Sequence, residues 1–226
     1  MKTSNYIIIA FFIFLFGGVF VLFLSAKIHQ GDSDRGVYSE EKKLEPFSVV
    51  VAEPGAAFHL RNAEYPRMLS FNQKPDTCKF LKYGIRNDTL FVFASKEKKK
   101  LNKWHEIYGR NIKSIVAKDK AHILLQEFRA DTLIVKLTNA VLDAFFDKTR
   151  NHTSLLSIQA VGSKVNLAGI NAGNLDVQLN GTELKAWDNS IDSLYGTLAN
   201  YSKLSMWKLG KINLEADSTS NYGLNK

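Results

Sequence analysis

Hydrophobic and polar positions divide the 226-residue chain into three regimes. Residues Tyr6 to Ala26 read YIIIAFFIFLFGGVFVLFLSA, without a single charge. About 20 residues at about 1.5 Å rise each span the hydrocarbon core of a bilayer, roughly 30 Å. An amphipathic surface helix would show a polar face, and this run has none. Residues 1–26 are therefore predicted to form an N-terminal transmembrane anchor. A signal peptide is the competing reading, although Leu24 puts a bulky residue where a cleavage site wants a small one. Both readings carry the rest of the chain across a membrane. Residues 27–45, KIHQGDSDRGVYSEEKKLE, are polar and charged and predict a tether.

From Pro46 onward the apolar positions alternate with period two, which predicts strands. PFSVVVAEPG gives a strand over Phe47 to Ala52 stopped at Pro54-Gly55, and AAFHLRN gives another over Ala57 to Arg61. YGIRNDTLFVFAS places a turn at Asn87-Asp88 before a strand from Thr89 to Phe93. Lys96 to Asn111, KEKKKLNKWHEIYGRN, breaks the pattern. It reads as a short helix or excursion joining a first sheet to the later strands.

The last third repeats. Leu133-x-Val135-x-Leu137 returns as Leu156-x-Ile158-x-Ala160, Leu175-x-Val177-x-Leu179, Leu194-x-Gly196-x-Leu198 and Ile212-x-Leu214-x-Ala216. The steps between starts are 23, 19, 19 and 18 residues. Each unit also has a second strand: Leu142-x-Ala144-x-Phe146, Val165-x-Leu167-x-Gly169, Leu184-x-Ala186 and, slipped by one, Leu204-x-Met206. One such unit cannot bury its apolar face alone, but stacked units can. About five rungs at about 4.8 Å make a stack about 25 Å long. Small residues (Ala144, Ala160, Gly169, Ala186, Ala216) suit a narrow interior. Ile112 to Leu125 reads as an earlier rung, and the polar stretch Asp217 to Lys226 as a cap. The fold class is thus all-β, a solenoid over residues 46–226. A β-sandwich is the alternative, but it has no reason to repeat at 19 residues.

FSVVVAEPGAAFHL, then IRNDTLFV, then the Leu-x-Val-x-Leu rungs together resemble the auto-transporter adhesin head (GIN) domain family of Gram-negative envelope proteins. The resemblance covers roughly Pro46 to Ala216. The Lys96–Asn111 insert and the modest glycine content of the rungs depart from the family pattern. The resemblance implies a right-handed β-helix-like domain at the cell envelope, with no catalytic residues to carry over.

Charge changes this picture only locally. The net charge is +8, but Lys79 to Arg129 alone holds 13 Lys or Arg against 5 Asp or Glu. Lys96, Lys98, Lys99, Lys100 and Lys103 form its densest patch. A solvated loop and a surface for anionic lipid or acidic glycan both fit such a patch; no nucleic acid partner is expected. The single cysteine, Cys78, permits no intrachain disulfide and reads as a small buried hydrophobe.

No nucleophile elbow, phosphate loop or dinucleotide fingerprint occurs, and no cofactor is predicted. His59, His105, His122 and His152 are scattered, without metal spacing. Asp143, Asp176, Asp188 and Asp192 fall at different places in the repeat, as outward or turn residues do, which argues against a glycosidase pair. Asn-x-Ser/Thr triplets at Asn87, Asn151, Asn180 and Asn200 sit at predicted turns, where Asn is favoured for backbone reasons.

Trp187 follows Ala186 and Trp207 follows Met206, one step out of the inward register. With Tyr195 and Tyr201 they form a candidate ligand surface for a glycan or an envelope protein. Burial beneath the Trp104 insert is the other reading. The expected function is a non-catalytic adhesion, scaffolding or recognition module anchored in the envelope. A self-assembling structural β-helix and a carbohydrate-active enzyme are the alternatives.

Overall fold

The computed structural model describes residue 16 and residues 38–72, 80–94, 104–146, 152–207 and 209–225. The predicted anchor, Cys78 and the five lysines of the basic patch lie outside the described residues, apart from helical Phe16. Among the described residues no helix is long and apolar enough to cross a membrane.

The strands begin with β1 (Tyr38–Lys43), β2 (Val49–Ala52), β3 (Ala57–Asn62), β4 (Arg67–Asn72), β5 (Tyr83–Arg86), β6 (Thr89–Val92) and β7 (Trp104–Gly109). Regular rungs come next as pairs: β8 (Ser114–Lys118) with β9 (His122–Phe128), then β10 (Thr132–Thr138) with β11 (Val141–Phe146). After them come β12 (Thr153–Val161) with β13 (Lys164–Ala168) and β14 (Asn171–Asn180) with β15 (Glu183–Trp187). The last are β16 (Ser190–Ala199) with β17 (Lys203–Trp207) and β18 (Leu209–Ala216) with β19 (Asn221–Asn225).

Two sheets result. One runs β18-β16-β14-β12-β10-β8-β2-β6-β5 and the other β1-β4-β7-β3-β9-β11-β13-β15-β17-β19. Each rung gives its first strand to one sheet and its second to the other, so the chain coils as a β-solenoid. Pairing between rungs is parallel, in the register that the repeat predicts: Leu133 faces Leu156, Leu156 faces Leu175, Leu175 faces Leu194, and Leu194 faces Ile212. In the second sheet Leu142 faces Val165, Val165 faces Leu184, and Leu184 faces Leu204. The one-residue slip at Leu204 is absorbed at the corner before β17, where Asn200 and Tyr201 both have positive φ. The inward columns form one continuous core, and Ala144, Ala160 and Ala186 sit within it as expected. Gly169 is buried too, whereas Ala216 is exposed. Gly169 lies just past the end of β13 at φ +68°, its N–H bonded to the Trp187 carbonyl.

The first part of the domain belongs to the same stack, not to a separate sheet. β2 lies between β6 and β8, and β3 between β7 and β9, all parallel. The first rung in sequence is therefore internal in space. β5 and β6 close the β2 side as an antiparallel hairpin through Asn87 (φ +47°) and Asp88 (φ +61°), the backbone of a type I′ turn. β4 pairs antiparallel with β7.

Three polar stretches thus turn out to carry strands. The end of Lys96–Asn111 is β7, whose Ile107 is fully buried. The strand is obscured in the sequence by the lysine run before it, and His105 and Glu106 are buried along with Ile107. The stretch read as a tether contains β1, and Leu44 after it is buried, its N–H bonded to the Pro66 carbonyl at 3.1 Å. The polar stretch expected to cap the end supplies β19, paired with β17.

A line of hydroxyls fixes the corner between the sheets. Ser163 Oγ accepts the Ala140 N–H (3.2 Å), Thr182 Oγ1 that of Ser163 (3.2 Å), Ser202 Oγ that of Thr182 (3.2 Å) and Ser220 Oγ that of Ser202 (3.1 Å). Ser163 donates in turn to the Val161 carbonyl at 2.8 Å, Thr182 to that of Ala160 at 3.0 Å, and Ser202 to that of Ala199 at 2.6 Å. Thr182 and Ser202 are fully buried, so these bonds satisfy amides that water does not reach.

Two substitutions test this construction by thermal melting. Thr182→Val keeps the shape but leaves the Ser163 N–H without its acceptor, and should cost about 1–3 kcal/mol. Gly196 has φ +141°, and a Cβ there would stand 1.8 Å from the Val177 carbonyl oxygen. Gly196→Ala should therefore cost about 3 kcal/mol or more, whereas Gly84→Ala, with open space at its Cβ, should stay within about 0.5 kcal/mol. Equal melting temperatures for the two glycine variants would contradict the close approach.

Candidate functional site

Where the parallel pairing stays in register, outward positions form columns running along the stack. On the sheet that holds β11, β13, β15 and β17, one column reads Phe145, Ala168, Trp187, since Phe145 faces Ala168 and Ala168 faces Trp187. On the next strand Lys185 faces Ser205, and Trp207 follows Ser205 by two residues as Trp187 follows Lys185. The Asn189 side chain occupies the backbone ladder here, donating to the Trp207 carbonyl and accepting the Trp207 N–H. Phe145 is 46 % exposed, Trp187 40 % and Trp207 50 %, so the tryptophans lie open to solvent and are not buried by the insert.

Tyr195 and Tyr201 do not join them. Tyr195 is an outward residue of β16 on the opposite sheet, facing Asp176 and Asn213, and Tyr201 sits on the corner at φ +63°. Phe145 is the member that sequence reasoning missed. Its signal was the same as that of the tryptophans: it follows the inward Ala144 as Trp187 follows Ala186.

Charged columns flank the rings. Lys164, Glu183 and Lys203 face one another across three rungs. Glu183 also accepts Lys185 Nζ at 2.7 Å, and that bond is the main reason its carboxyl is held below the usual range.

Followed the other way from Phe145, the aromatic column continues through Gln126 and Arg61 to Tyr108. Gln126 Oε1 accepts Arg61 Nε at 2.9 Å, and Glu106 lies 4.0 Å from the same nitrogen. Tyr108 donates its hydroxyl to Glu106 at 2.5 Å and lies 4.6 Å beneath the Arg67 guanidinium. Burial first, and the bond to Glu106 second, raise the Tyr108 pKa.

His59, His105 and His122, scattered in sequence, line one small cavity of about 220 Å³ together with Asp143. His122 Nε2 pairs with Asp143 Oδ2 at 2.7 Å, and Asn166 donates to the other carboxylate oxygen at 2.6 Å. Among the described residues no group of three or more His, Cys, Asp or Glu is arranged to hold a metal ion. Of the four aspartates, Asp143 and Asp176 lie on opposite sheets, Asp192 on β16 next to the β14 of Asp176, and Asp188 at a corner with φ +52°.

Comparison with protein-family models and with the curated proteins returns no match. Solved structures do match in fold. A "putative adhesin" from Bacteroides fragilis superimposes with TM-score 0.62 at 13 % identity, covering 84 % of this chain and 97 % of that one. A "putative lipid binding protein" from Parabacteroides distasonis gives 0.52 at 10 % identity over 84 % and 97 % of the two chains. A "putative adhesin" from the same organism gives 0.52 at 9 % identity over 84 % and 93 %. At such identities the likeness is one of fold.

The histidine cavity yields a pH prediction. Burial is the largest influence on His59 and lowers its pKa; Glu106 opposes this, while Arg61 and His122 add to it. The unfolded chain therefore binds this proton more readily than the folded one. Stability is fully present above the ordinary histidine value of about 6.5 and declines as pH falls below it. Thermal melts from about pH 7.5 to about pH 5 should show a shallower loss for His59→Gln than for the parent, and parallel slopes would contradict the assignment.

Proposed function

We propose that the chain is a non-catalytic, adhesion-like recognition module, held at a membrane by residues 6–26 and displaying its solenoid outside the cytoplasm, in the periplasm or on the cell surface. The column Phe145, Trp187, Trp207 carries this reading. Three large aromatic side chains stand exposed on one sheet, where ordering them for a ligand costs little entropy. A fold shared with proteins named as adhesins supports it, and so does the uncharged run Tyr6–Ala26. We take the coil to be right-handed, the hand of nearly all parallel crossovers within a sheet.

The test uses the full-length protein in detergent or nanodiscs, probed against arrays of glycans and envelope components. The variant Trp187→Ala/Trp207→Ala should lose at least tenfold in affinity, about 1.4 kcal/mol, while its circular dichroism stays that of the parent. Equal binding by both proteins would remove the aromatic column from the reading. Turnover of a bound glycan that disappears in Asp143→Asn would make the protein an enzyme.

A further inference from the structure

The aromatic column leads into a cationic notch. Where β3, β7 and β9 end, two clefts of about 470 and 640 Å³ adjoin, sharing Asn111 and Arg129 in their walls. Arg61, Arg110, Arg129 and Lys113 line them, against the carboxylates Glu127 and Asp131. Asp131 is already engaged, accepting the Ser154 hydroxyl at 2.6 Å.

The notch is built by the backbone. Asn62 donates to the Arg129 carbonyl at 2.9 Å and accepts the Arg129 N–H at 2.7 Å, clamping that chain segment to the end of β3. Glu127 sits at φ +50° beside a register shift in the β9–β11 pairing, and Asn111 at φ +55°. A glutamate in that region is strained, and bulges of this kind re-aim side chains at binding sites.

Notch and rings are collinear. Arg61, Gln126, Phe145, Ala168 and Trp187 occupy successive positions and Trp207 lies on the next strand, so five strand spacings of about 4.8 Å make a path about 24 Å long. A ligand using both ends must be extended, present apolar faces at intervals and carry negative charge. Sheet-face backbone groups are already consumed by the ladder, so a peptide gains no strand pairing here. The solenoid interior is filled by side chains of near-zero exposure, which leaves an acyl chain no place in the core. Sugar rings meet all three demands: their C–H faces stack on aromatics, and their hydroxyls meet the neighbouring outward column of Asn166, Lys185 and Ser205. Carboxylate or sulfate groups suit the paired donors of arginine.

We propose that this face binds an acidic polysaccharide, laid along the column with its rings over Phe145, Trp187 and Trp207 and its anionic groups in the notch of Arg61, Arg110, Lys113 and Arg129. The proposal rests on the recognition reading above and names its ligand class.

Full-length protein would be titrated with polygalacturonate oligomers, the same oligomers after carboxyl reduction, sulfated dextran, and phosphatidylglycerol vesicles. Polygalacturonate should bind at least tenfold more tightly than its reduced form, and more weakly as salt rises. Arg110→Glu/Lys113→Glu should lose that preference, with Arg110→Gln/Lys113→Gln losing part of it and both retaining the parent's circular dichroism. Trp187→Ala/Trp207→Ala should weaken both polymers. Binding of sulfated dextran with the same dependence would support the site and extend its anion to sulfate. Ring-dependent binding of the reduced polymer, indifferent to the charge reversal, would overturn the acidic class but leave the recognition module standing. Binding to vesicles alone, or to no probe, would overturn the proposal, and polymer binding that survives loss of both tryptophans would overturn the aromatic reading with it.

Discussion

Everything in this domain depends on parallel backbone pairing that places each rung directly over the last. Once Leu133 lies on Leu156 and Leu142 on Val165, the inward residues stack as columns, and a single register error would turn the whole apolar set outward. The backbone ladder does not itself prefer one register over another. Two things choose it: the apolar columns, and the corner hydroxyls from Ser163 to Ser220, whose donors and acceptors meet only when successive corners align. The rungs differ in length by several residues, and the corners absorb the difference. That is where positive-φ residues collect, at Asn139, Gly162, Gly181 and Asn200.

The same constraint that builds the core builds the surface. In a sandwich, residues distant in sequence meet by the accident of topology; in a stack, an outward residue meets its equivalents from the neighbouring rungs. Three aromatic residues separated by dozens of positions thus become one line, and the arginines near the chain's turns become its continuation. A recognition surface of this kind needs no loop, since the sheet holds it rigid.

Periodicity made the core legible because the stack translates it directly: the repeat starts at Leu133, Leu156, Leu175, Leu194 and Ile212 are facing residues in the structure. Trp187 and Trp207 were legible for the same reason. Tyr195 was misgrouped because aromatic clustering in sequence says nothing about which sheet a strand enters. β7 was hidden because the lysine run dominates its neighbourhood and because its buried residues include His105 and Glu106, which read as surface residues. The notch could not be read at all. It arises where three strands distant in sequence end together, and no local pattern marks that meeting.

The internal position of β2–β3 bears on how the domain comes into being. Chains are made N-terminus first, so this rung exists before either of its neighbours. It offers an open edge on each side, one completed by β6 and β7, the other by β8 and β9. Both closures join residues far apart in sequence, Val49 with Thr89 on one side and Val49 with Ser114 on the other, and such non-local pairings are the slower kind of step; beyond β9, growth toward β19 requires only contacts between adjacent units. A rung made early thus keeps both of its edges open until strands made later, β6 and β7 on one side and β8 and β9 on the other, cover them.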